Sequence, residues 1–102
     1  MEKKVIAVIC GSSGEAKRAW YEYLQKYKNQ PLLFRHDFGG KWIQLREDNT
    51  VVTYYFYLPS MELKMTGQIF DEVIWYGTAR GHSKYKDILD YLRLHARKIG
   101  EF

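Results

Sequence analysis

The feature that most constrains this chain is its opening. Lys4-Val5-Ile6-Ala7-Val8-Ile9-Cys10 is β-branched and apolar almost throughout, and Gly11-Ser12-Ser13-Gly14 follows directly. An apolar run without alternation suits a strand buried on both faces, as parallel strands are. Beyond the turn, Ala16, Ala19, Trp20, Tyr23, Leu24 and Tyr27 recur at helical spacing, and Pro31 stands just past the expected helix end near Lys28-Asn29. The chain therefore begins as strand, tight turn, helix, a beginning that belongs to sheets covered by helices.

Further along, Leu32 to Phe34 is a short apolar run that could add a strand, and His36 to Gly40 reads as a loop. "KWIQLRE" and "TVVTYYFYL" are β-rich and meet at the polar turn Glu47-Asp48-Asn49, which predicts an antiparallel hairpin stopped by Pro59. Pro59 to Phe70 is irregular or holds one helical turn. Asp71 to Gly77, "DEVIWYG", predicts a short buried strand. Ser83 stands where an N-cap belongs, and Tyr85, Ile88, Leu89, Leu92, Ala96 and Ile99 form one apolar stripe that Gly100 is placed to end. The expected fold is a small three-layer α/β domain, P-loop or Rossmann-like. Its mixed sheet would carry two main helices, near residues 14 to 28 and 84 to 98.

With 102 residues the chain has room for one domain, residues 1–102, and one core. A formal net charge of +4 biases it mildly toward anionic partners, and a solvated basic surface accounts for the same number. Cys10 is the only cysteine, which excludes a disulfide framework and a zinc-type cluster. No segment approaches the ~18 apolar residues that a membrane span needs. The expectation is a cytoplasmic protein with no membrane partner. Aromatic residues make up 17% of the chain, so rings must either fill the core or offer a stacking surface.

The opening turn is where chemistry is most readily placed. A phosphate-binding P-loop, GxxxxGK[S/T], surrounds phosphates with backbone N–H groups, reaches them with Lys and holds Mg²⁺ with the final hydroxyl. Laid over it, Gly11 takes the first Gly, Ala16 the second, Lys17 the Lys and Arg18 the hydroxyl position. The Lys survives and the metal ligand does not. Arg18 could hold a phosphate directly. The candidate phosphate or nucleic-acid site is Gly11, Ser12, Ser13, Gly14, Lys17 and Arg18, together with Arg80, His82, Ser83 and Lys84. Those four follow a parallel-type strand and should emerge at the same sheet edge. A Gly-rich turn and two solvated basic loops would read the same way. A nucleotide is a possible ligand, Mg²⁺ is not expected, and no other cofactor is implied.

Four segments in order, "VIAVICGSSGEAKRAW", "WIQLREDNTVVTYYFY", "KMTGQIFDEVIWYG" and "YKDILDYLRLHARK", resemble the ATPase core of the viral large terminase subunit, the motor that packages DNA. The resemblance implies a P-loop strand and helix, a strand pair with a polar turn, an arginine-glycine step and a Walker B strand ending in Asp-Glu. Here Thr66-Gly67 stands at the arginine-glycine step, and Asp71-Glu72 begins the last strand, which ends in Tyr76-Gly77. It implies a shortened, virus-encoded relative without ATPase activity, since no carboxylate would lie near the phosphates to position Mg²⁺ or water. "VIAVICGSSG" is also similar to the first strand and loop of LOG-type nucleotide phosphoribohydrolases, but their PGGxGT signature is absent.

Three functions stay open. One is a non-catalytic P-loop-like domain that binds nucleic acid or nucleotide phosphate. Another is a protein-interaction module, such as a small inhibitor or assembly factor. The last is a nucleotide-processing enzyme using Gly11 to Gly14 and Glu15. His36, His82 and His95 lie in separate segments without metal-ligand spacing. Cys10 next to the turn reads either as a nucleophile or as a small buried hydrophobe.

Overall fold

The apolar run at the start becomes the middle of the sheet. The computed structural model describes residues 2–28, 33–39, 41–61, 69–96 and 99–101. In it β1 (Glu2–Cys10) lies between two parallel neighbours, β4 (Thr50–Tyr57) and β5 (Glu72–Tyr76), so that Ile9 pairs with Tyr57 on one side and Trp75 on the other. That position explains the missing alternation: Ile6 through Cys10 are all buried because helices cover both faces. β2 (Leu33–Asp37), β3 (Trp42–Glu47) and β6 (Ile99–Glu101) complete, among the described residues, a six-stranded mixed sheet of order β2-β3-β4-β1-β5-β6.

The helix α1 (Ser13–Tyr27) packs on one face, where Ala16, Ala19 and Trp20 join Val8, Cys10, Ile43, Leu45, Phe56 and Tyr76. Trp20 Nε1 donates to the Trp42 carbonyl at 3.2 Å, tying α1 to β3. The second helix, α2 (Tyr85–His95), covers the other face with Ile88 and Leu92, against Ala7, Ile9, Tyr57, Phe70, Val73 and Trp75. Helix, sheet and helix make the three-layer α/β fold that the sequence predicts. The hairpin also forms as expected: β3 and β4 are antiparallel, Glu47 pairs with Thr50, and Asp48 takes the left-handed turn conformation with φ 51.

Several local expectations are corrected. His36 and Asp37 belong to strand β2, not to a loop, because they pair with Ile43 and Trp42 of the adjacent β3. Ser83 is not the N-cap of α2. Lys84 holds that position without a side-chain cap, since a 3-10 turn at Ala79–Gly81 sets the entry and Tyr85 N–H bonds to the His82 carbonyl. Gly100 does not end a helix. The chain leaves α2 at Ala96, which is extended at φ −127, and Ile99–Glu101 pairs in parallel with β5, whose open edge outweighs the helical stripe. The short turn expected after β4 is a 3-10 turn at Pro59–Met61. Thr66-Gly67, and the helix residues expected at 97 and 98, lie outside the described residues.

Candidate functional site

Two loops meet at the carboxyl end of the sheet. β1 and β5 are parallel neighbours in register from Ile6–Glu72 to Cys10–Tyr76, so the turn after β1 and the loop after β5 leave the same edge. Open α/β sheets bind ligands there. Ser12 is the N-cap of α1, with its hydroxyl accepting the Glu15 N–H at 3.2 Å. Ser13 and Gly14 begin the helix and are exposed, as are Lys17 and Arg18 one turn on. On the other loop Arg80 is exposed in the 3-10 turn, and Ser83 and Lys84 are exposed just before α2. His82 is half-buried, and its Nδ1 accepts the Lys84 N–H at 3.1 Å.

What joins the loops is a residue that the phosphate-loop overlay passed over. The Glu15 carboxylate reaches across to the second loop: Oε1 accepts the Thr78 N–H and Oε2 the Thr78 hydroxyl, both at 2.9 Å. The Ser12 hydroxyl is 3.3 Å from the same Oε2. Ser12 and Glu15 thus stand at capping-box spacing, S-x-x-E, with the Ser12 hydroxyl capping the Glu15 N–H while the acid bridges to a neighbouring loop. That spacing stood in the sequence. Thr78 had no such signal, because only the parallel register brings it alongside.

The two glycines beside this bridge leave room for it. Gly77 is left-handed at φ +62, and a Cβ there would overlap Glu15 Oε1. At Gly11 a Cβ would overlap Thr78 Oγ1 and lie 2.7 Å from the Thr78 carbonyl carbon.

Partial burial raises the Glu15 pKa, yet hydrogen bonds from the Thr78 backbone, the Thr78 and Ser12 hydroxyls and the Gly11 backbone together outweigh it. They hold the carboxyl below its ordinary value of 4.5. A folded-state pKa below the unfolded one stabilises the protein above the unfolded value, and that contribution is lost as pH falls through the folded one. Glu15→Gln should therefore melt below the wild type at neutral pH, and the gap should narrow as pH falls from 4.5 through the lower folded-state value. Thermal melts of both proteins across that range check this.

The remaining candidates for chemistry settle into structural roles. Asp71 Oδ2 accepts the Val5 N–H at 2.8 Å, at the start of β5. Five strand residues, about 16 Å, separate it from the turn end of the sheet, so Asp71 and Glu72 do not face Gly11 to Lys17. Cys10 is fully buried, and burial followed by the nearby Glu15 charge pushes its thiol up to about 12. It stays a thiol at neutral pH, inert as a nucleophile. Tyr76 donates its hydroxyl to Glu22 on α1 at 2.8 Å, closing the same edge from the α1 side.

The fold is that of large terminase ATPase domains. It matches the large terminase of a thermophilic bacteriophage with a TM-score of 0.73 at 6% identity, over 99% of this chain and 26% of that one. The same terminase in complex with ADP gives 0.69 at 7% identity, with the same coverage. The large terminase ATPase domain of Thermus phage P74-26 gives 0.55 at 11% identity, over 95% of this chain and 47% of that domain. The chain thus spans about a quarter of the thermophilic bacteriophage protein. No family model matches the sequence, and no curated protein does either. The architecture expected from the four-segment resemblance is present, and identities this low carry the likeness no further than the fold. Among the described residues no helix is long and apolar enough to cross a membrane.

Proposed function

We propose that this chain is a non-catalytic, P-loop-like domain that binds the phosphates of a nucleic acid or nucleotide at the carboxyl edge of its sheet. The observation that carries the proposal is the meeting of the turn that opens α1 and the cation-bearing loop after β5 at that edge, held together by Glu15 and Thr78. Lys17 and Arg18 project from the first turns of α1, and Arg80 and Lys84 belong to the facing loop. His82 and Ser83 complete that loop. Gly11 and Ser12 make the turn and are already engaged by Glu15, and Ser13 and Gly14 open α1. The phosphates are therefore met by outward cations, in a fold whose thermophilic-phage example has been captured with ADP.

Two features of the residues support a non-catalytic role. Arg18 replaces the hydroxyl that would hold Mg²⁺, and Asp71 is committed to Val5 at the far end of the strand. The carboxylates at this edge are engaged within the protein, Glu15 by Thr78 and Ser12 and Glu22 by Tyr76, which argues against their orienting an attacking water. A virus-encoded origin accords with the phage sources of the structural neighbours.

Binding through four cations should weaken steeply with salt, with a log–log slope of roughly −3 to −4 for a duplex oligonucleotide. Fluorescence anisotropy across a salt series measures it. An affinity that stays flat would exclude the reading. One observation favours a protein-interaction module as a second reading: the exposed rings Tyr21 and Phe38 lie together beside the edge strand β2.

A further inference from the structure

The edge far from the phosphate loops carries a short sequence that is chemically self-complementary. β2 is the last strand on its side of the sheet and pairs only with β3 among the described residues. Its register slips between Leu33 and Arg35, so the regular part begins at Arg35. From there Arg35, His36, Asp37 and Phe38 are all exposed.

The alternation along this strand separates two surfaces. The His36 and Phe38 rings turn toward α1, 5.7 and 5.1 Å from the Trp20 ring, and Phe38 lies 5.8 Å from Tyr21. Arg35 and Asp37 therefore project from the opposite face. On the α1 side the strand is flanked by apolar rings, with Tyr21 45% and Phe38 41% exposed. The other side presents one cation and one anion, two residues apart.

An antiparallel strand centred on His36 would match both surfaces. In that register Arg35 lies opposite the partner's Asp37, Asp37 opposite the partner's Arg35, and His36 opposite the partner's His36. Directly opposed residues in an antiparallel pair are the ones that interact, and opposite charges there are favourable. A strand at the edge of a sheet also offers backbone N–H and C=O groups to such a strand.

We propose that β2 is the contact edge of a two-fold homodimer, in which a second copy of this chain adds its own β2 antiparallel about His36. The charge order selects the occupant. A foreign strand must supply an anion opposite Arg35 and a cation opposite Asp37, and the chain's own β2 supplies both. Arg35 and Asp37 already make contacts within the chain, and the interface shares or exchanges them. Tyr21 and Phe38 lose exposed surface beside the joined strands. The contact is short, which places the dimer among weak, concentration-dependent interfaces.

Sedimentation velocity from about 10 µM to about 1 mM tests the proposal. The wild type should rise from the monomer mass of 12.2 kDa toward twice that value as concentration increases. Arg35→Asp sets like charges against the partner's Asp37 in both pairs and should weaken dimerisation about tenfold or more. Asp37→Arg should do the same with two cations, and it stands in should Arg35→Asp melt early. The swap Arg35→Asp/Asp37→Arg restores both opposite-charge pairs and should restore the dimer. A wild type that stays monomeric throughout, a dimer indifferent to the single reversals, or a swap that fails to rescue would overturn the proposal. Capture of a different protein by a monomeric chain would also count against it.

Discussion

Gly11→Ala is expected to lower the stability of this protein by about 3 kcal/mol, the upper range for forcing extra volume into a packed site. In a domain of this size that is a fall in melting temperature of roughly 10–20 °C. The added methyl would overlap the Thr78 hydroxyl, which can rotate away, and would also sit 2.7 Å from the Thr78 carbonyl carbon, which is backbone and cannot. The loop after β5 must shift as a whole. Gly77→Ala is the instructive contrast. There the overlap is with the Glu15 carboxylate, the far end of a flexible side chain, so the cost is the left-handed backbone strain at φ +62, about 1–2 kcal/mol, plus a loosened bridge. Denaturant melts of the two variants should rank Gly11→Ala as the more damaging. Equal stability would mean that the loops are not held at this spacing.

Phe70→Ala should cost still more, about 3–5 kcal/mol, as removal of a fully buried ring does. Phe70 is completely buried and packs edge-on against Tyr57 at 6.0 Å, and its N–H bonds to the His95 carbonyl at 3.0 Å. It therefore pins the end of α2 to the start of β5, where Ala96 bridges to it in parallel. That is the opposite end of the sheet from the two loops. The variant should melt far lower yet keep its phosphate affinity when measured well below its melting temperature. A variant that loses affinity while still folded would show the two ends to be coupled.

The parts of the fold that could be read beforehand are those dictated by local chemistry. Val5 to Cys10 can only be a doubly covered strand, and Asp48-Asn49 between two β-rich runs can only turn. The helix stripe of Ile88 and Leu92 follows for the same reason. The misread residues are ones whose state depends on a distant neighbour. His36 and Asp37 look like loop residues until β3 lies beside them. Gly100 looks like a helix stop until the edge of β5 takes it.

At the site, the placement of the two loops was legible from the parallel strands. The bridge between them was half legible: Ser12 and Glu15 stand at capping-box spacing, whereas Thr78 enters only through the register of β1 with β5.

The most direct test of the central claim is a thermal-shift series on the wild type and the Lys17→Ala/Arg80→Ala double variant. ATP, ADP and short oligonucleotides would each be added with and without Mg²⁺. A ligand at about 100 times its dissociation constant adds about 2.7 kcal/mol, a shift readily seen in a domain this small. Stabilisation of the wild type by at least one phosphate ligand is expected, equal with and without Mg²⁺ and lost in the double variant. No stabilisation by any of them, or stabilisation that needs Mg²⁺ or survives removal of both cations, would contradict the proposal.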